Sequence, residues 1–116
     1  MSACRGAYAE SDLIGTYEDE IHVETLTLMA GGVYDETLRY LSGQEIRNAG
    51  RWSLEQTPGT STIVLQDSAL MGHYSVYLPA PQPKPQRFEF RLEASQAFGD
   101  LTLNWGDEIR LHRVRS

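Results

Sequence analysis

His22, Glu24 and Glu36 are the residues whose types and spacing come nearest to chemistry in this chain. A His-x-Glu pair on one strand places both side chains on the same face, where they could move a proton or contribute metal ligands. Glu36 follows the Gly31-Gly32 pair and shares the inward phase, so it could converge on them. A metal site generally needs three or four protein ligands, and one strand supplies two. No metal and no cofactor are therefore expected. The acidic run Glu18-Asp19-Glu20 lacks the longer, glycine-containing loop of a calcium site, and a solvated hairpin turn is the simpler reading. The serines have no strand-to-helix elbow of the G-x-S-x-G kind, and Cys4 lies near the end of the chain, where nothing fixes its geometry. The Ala30-Gly31-Gly32 stretch leads into a strand, not a helix, so it is no phosphate loop. The expectation is a non-enzyme.

The same inward phase carries aromatic groups. Across the turn, "TLTLMAGGVYDETLRY" (25–40) sends Leu26 and Leu28 inward, and with them Tyr34, Glu36, Leu38 and Tyr40. Trp52 falls on the matching phase of the next strand. Phenols, an indole and carboxylates do not suit a dry centre, because an unpaired buried carboxylate costs several kcal/mol. The candidate site is accordingly a polar cup for a small amphipathic ligand, formed by His22, Glu24, Tyr34, Glu36, Tyr40 and Trp52. Ordinary filling of the interior is the competing account, above all for Tyr40 and Trp52.

These residues must be held by strands. No window keeps a helical period, whereas runs of period two recur about every ten residues. Strands are expected near 13–18, 21–29, 33–41, 45–56, 61–67, 71–78, 86–93, 100–105 and 109–115, with turns at Gly31-Gly32, Ser42-Gly43, Pro58-Gly59 and Gly106-Asp107. In "RFEFRLE", Phe88, Phe90 and Leu92 alternate with Arg87, Glu89, Arg91 and Glu93, giving one buried and one solvated face. The fold class is all-β, a single antiparallel up-and-down barrel of 8–9 strands. Closure removes the open edges that a sheet of this length would otherwise expose. A two-sheet sandwich is the rival, with "PAPQPKPQ" (79–86) as its one candidate crossing. A helical turn at Glu93–Phe98 is expected to plug one end. Residues 1–12 are expected as a flexible N-terminus and 13–116 as the barrel domain.

The expected interior set is large: Tyr17, Tyr34, Tyr40, Trp52, Tyr74, Phe88, Phe90 and Trp105, together with leucines, isoleucines and a valine on the same phases. An eight-stranded barrel of that content is either filled by its own side chains or left with room for one small ligand.

Composition limits the partners. The chain has 116 residues, one cysteine and a formal charge of −6. Residues 1–60 carry ten Asp and Glu against four Arg, and residues 61–116 carry six acidic and six basic groups. An acidic surface repels phosphates, so nucleic acid is an unexpected partner. No run is long and apolar enough to span a membrane. A single cysteine forms no intrachain disulfide. Ser-Ala-Cys at 2–4 is how a bacterial lipoprotein cleavage site often ends, but the charged and apolar regions that precede such a site are missing from the chain as given. That reads as cytoplasmic, with an envelope lipoprotein anchored through Cys4 as the alternative.

"LIGTY" (13–17), "ETLTLMAGGVY" (24–34), "GRWSLE" (50–55) and "TIVLQD" (62–67) together resemble small bacterial barrel lipoproteins of the lipocalin-like (calycin) group. Within it they resemble the N-terminal domain of the copper-resistance, envelope-stress lipoprotein family. The C-x-x-C of that family has no counterpart in "EDEIHVE" (18–24), so its metal or redox role does not carry over. The resemblance implies a calycin-type barrel that binds small ligands or partner proteins in the cell envelope. The second functional expectation is a protein-interaction or inhibitor module with a solid core. Its surface would be formed by Val33, Leu41 and Tyr77, on the outward phase, and by Pro81 and Pro83 of the stiff loop, with a homodimer as the simplest outcome.

Overall fold

The structure, a computed structural model, describes residues 8–19, 24–39, 43–68, 88–97, 100–106 and 109–114. A single helical turn, α1 (Glu10–Leu13), precedes eight strands: β1 (Gly15–Glu18), β2 (Glu24–Met29), β3 (Val33–Arg39), β4 (Glu45–Thr57), β5 (Thr60–Ser68), β6 (Phe88–Ala97), β7 (Asp100–Trp105) and β8 (Ile109–Arg113). Each strand pairs with the next in sequence and β8 returns to β1, closing an antiparallel up-and-down barrel. The expected strand at 71–78 and the proline stretch 79–86 lie outside the described residues. β5 pairs directly with β6, so the eight described strands close the barrel by themselves.

Alternation builds the interior. Leu26 and Leu28 of β2, Tyr34 and Leu38 of β3, Ile63 and Leu65 of β5, Leu92 of β6, Leu103 of β7 and Leu111 of β8 are wholly buried. Each such side chain contributes roughly 1.5–3 kcal/mol, the main term opposing the entropy of ordering the chain. The β2–β3 hairpin turns at Gly31 and Gly32, both at positive φ (87° and 75°), a conformation that a side chain disfavours.

Two expectations about the ends of the barrel are overturned. Glu93–Ala97 is not a helical turn but the second half of β6, registered residue for residue against β7 from Glu93↔Asn104 to Ala97↔Asp100. The helix formers Glu, Ala and Gln yield there to an unbroken ladder with β7. The plug comes instead from the N-terminal side, in residues 8–12 that had been expected to fray. Asp12 Oδ2 accepts from the Ala9 amide at 2.9 Å, starting α1 and directing Leu13 into the core. Gln56 Nε2 donates to Tyr8 O (2.6 Å), and the Tyr8 amide donates to Ser61 Oγ (3.1 Å). Arg113 lies on the Tyr17 ring, 5.5 Å from its centroid, and donates to the carbonyls of Asp12 and Ile14. Tyr17 Oη donates to Leu13 O at 2.7 Å.

Candidate functional site

The opposite end, where β3, β5 and β7 finish and β2, β4 and β6 begin, carries the inward polar groups. Glu24 opens β2 and is 1% exposed. Its backbone exchanges bonds with Asp19: the Asp19 amide donates to Glu24 O, and the Glu24 amide donates to Asp19 Oδ1. Asp19 is consequently buried, a correction to the solvated acidic turn expected for residues 18–20.

Glu36, in the middle of β3, is also 1% exposed. Asn48 Nδ2 donates to its Oε1 at 2.7 Å and Ser68 Oγ donates to its Oε2 at 2.9 Å. Asn48 is its direct register partner on β4, whereas Ser68 comes from β5 through a bulge. Leu65 pairs with Phe90 and Ser68 with Phe88, so one residue too many lies between them, and Asp67 takes a positive φ of 56°. The extra residue breaks the ladder and leaves two carbonyls to be satisfied by side chains. Asn48 Nδ2 also donates to Asp67 O (2.7 Å), and Tyr34 Oη donates to Gln66 O (2.5 Å). The buried carboxylate and the bulge thus share donors in one network.

Tyr34 reaches Gln66 because its register partner is Gly50. A Cβ at that position would lie 2.6 Å from Gln66 O and 2.7–2.8 Å from the Tyr34 hydroxyl and ring. Trp52 is buried with its indole nitrogen donating to Met29 O at 2.9 Å. Tyr34 and Trp52 of the expected cup therefore fill the barrel and form a floor beneath Glu36. Phe90 and Trp105 meet edge to face, with centroids 5.6 Å apart, at this same end. Trp105 had been expected in the core; it ends β7 and is 42% exposed.

Of the expected cup, Glu24, Tyr34, Glu36 and Trp52 are inward and buried, while His22 and Tyr40 lie outside the described residues. Arg39 bonds Glu45 on the outer surface (3.1 Å), and Arg113 is engaged at the plugged end. Asn48 and Ser68 were missed. Asn48 shares the phase of Trp52 and could have been placed inward by alternation; Ser68 could not, because the bulge changes the count. Among the described residues, no group of His, Cys, Asp and Glu is placed to hold a metal ion.

The surface expected for a partner is represented by Val33, which is 37% exposed. Leu41, Tyr77, Pro81 and Pro83, like Cys4, lie outside the described residues. Val33 pairs with the half-buried Met29, and Ile14 and Val114, both exposed, flank β1 nearby. No described helix is long and apolar enough to cross a membrane. No protein-family model, characterised protein or solved structure matches the chain.

Proposed function

We propose that this chain is a non-enzymatic, lipocalin-like binding barrel that takes a small amphipathic ligand at the end opposite its N-terminal plug. The observation that carries the reading is the grading of the interior along its axis. α1 and Leu13 stop one end, apolar side chains fill the barrel from there toward its middle, and the buried polar groups run from Glu36 and Asn48 at mid-strand to Ser68 and Glu24 at the other end, where the half-exposed Trp105–Phe90 pair stands. A ligand there would lay its apolar part against the two rings and present a hydrogen-bond donor to the polar side. Tyr34 and Trp52 serve as the floor. This role fits the envelope lipoproteins whose strand openings the sequence resembles.

A second reading, a partner-binding module with a solid core, is favoured by the exposed Val33, Ile14 and Val114 on the outer face. Native mass spectrometry of the purified protein across a concentration series separates the two. The first predicts a monomer carrying extra mass that is released on unfolding. A bare dimer would overturn it and move the working surface to the outside; a bare monomer would also count against a cup.

A further inference from the structure

The wall of the barrel carries a hollow of about 410 Å³, a size that holds a small molecule. It is bordered by Thr27 of β2, Asp35 and Thr37 of β3, and Arg47 and Ala49 of β4. Glu36 and Asn48 also border it, but both are buried and bond each other on the inner side. The alternation that turns those two inward turns the other five outward, so the hollow opens on the outer face of the sheet.

Register explains its shape. Thr27 pairs with Asp35, Asp35 with Ala49, and Thr37 with Arg47. Ala49 meets Asp35 with a single methyl, and the space that a longer side chain would fill stays open. Arg47 is the diagonal neighbour of Asp35 on the adjoining strand, and such neighbours lie roughly 7–8 Å apart. Opposite charges so placed are within reach of each other. Here they stay apart: both side chains are exposed, and neither forms an ion pair or a side-chain hydrogen bond among the described residues. Other groups on this face are already engaged. Glu45, the next acid on the outward phase of β4, bonds Arg39 at 3.1 Å, and Thr27 Oγ1 shares a hydrogen bond with Thr16 Oγ1 at 3.0 Å. The hollow therefore presents an uncommitted carboxylate on one side and an uncommitted guanidinium on the other. A lone anion would gain at Arg47 and be repelled by Asp35, and a lone cation would meet the reverse. A molecule carrying both charges gains at both.

We infer that this hollow binds a small zwitterion, its ammonium at the Asp35 carboxylate and its carboxylate at the Arg47 guanidinium. The guanidinium can hold both carboxylate oxygens at once. The aliphatic link of the ligand lies over Ala49. This site is on the outer wall and does not depend on what the end of the barrel binds.

The test follows backbone amide shifts of the intact protein by NMR during titration with 4-aminobutanoate, with butanoate and butylamine as single-charge controls. The zwitterion should shift the amides of residues 35–37 and 47–49 in a saturable way. It should bind about fivefold tighter than either control at low salt. Asp35→Asn and Arg47→Gln should each weaken it by about two- to fivefold, the size of an exposed ionic contact. Ala49→Leu fills the hollow from an exposed position and should abolish the saturable shift. All three changes are on the surface and should leave the thermal midpoint unchanged. Equal affinity for a control, undiminished binding by Ala49→Leu, or saturable shifts found only at the barrel end would overturn the proposal. The absence of any saturable shift would do the same. Because the amides of the wall and of the barrel end are read separately, failure here is distinguishable from failure of the small-ligand reading.

Discussion

Tyr34 and Gly50 are one feature written on two strands. The phenol lies across the position where a side chain would stand and uses that space to reach Gln66 O. Gly50→Ala sets a methyl against a backbone oxygen that cannot easily move, so the expected cost is about 2–3 kcal/mol, read as a lower urea midpoint. Tyr34→Phe keeps the ring and leaves the Gln66 carbonyl without that donor, for a loss of about 1–3 kcal/mol. If both variants unfold like the parent, the packing described here is wrong. Alternation alone placed Tyr34, Glu36 and Trp52 inward. It could not say that the phenol and the indole would end on carbonyls, because those carbonyls belong to other strands and one of them lies in a bulge.

At the scale of elements, regular ladders were legible and departures from them were not. "TIVLQDS" reads as an unbroken strand, since nothing in its composition marks Gln66-Asp67 as a place where the count slips. Asp tolerates the left-handed region better than most residues, and that was the only available sign. Asp67→Gly should hold or raise stability, whereas Asp67→Val should lose about 2 kcal/mol; chemical denaturation of the two side by side checks the difference. The misread helix at Glu93–Phe98 has the opposite cause. Its residues favour a helix locally, but Asp100–Trp105 offers a complete set of backbone partners two residues later. The true plug escaped notice because one turn of helix is too short to show a period.

At the scale of the molecule, closure between β1 and β8 is the narrowest join. Tyr17↔Arg113 and Glu18↔His112 are its register partners, extended by the Val114 amide donating to Thr16 O at 2.8 Å. Tyr17 stands at this join and bonds the plug, and burial pushes its phenol above the ordinary 10.0, with the Arg113 guanidinium pulling the other way. The unfolded chain loses that proton near pH 10 while the folded chain keeps it. The contribution of Tyr17 is therefore intact below about pH 10 and falls as pH rises from there through its raised folded value. Tyr17→Phe should be less stable at neutral pH, by about 1 kcal/mol for the lost bond to Leu13 O, and should lose stability less steeply on the alkaline side. Urea midpoints on both sides of pH 10 test this; parallel alkaline limbs would contradict it.

The same join has a further meaning. Asp12 and Ile14 near the first described residue are fastened by Arg113 near the last, so the path through space returns to where it set out. Drawn as a circuit, the barrel has no first strand. Any of its tight turns could serve as the opening, and the order in which the strands are synthesised is a fact about translation, not about the architecture they reach.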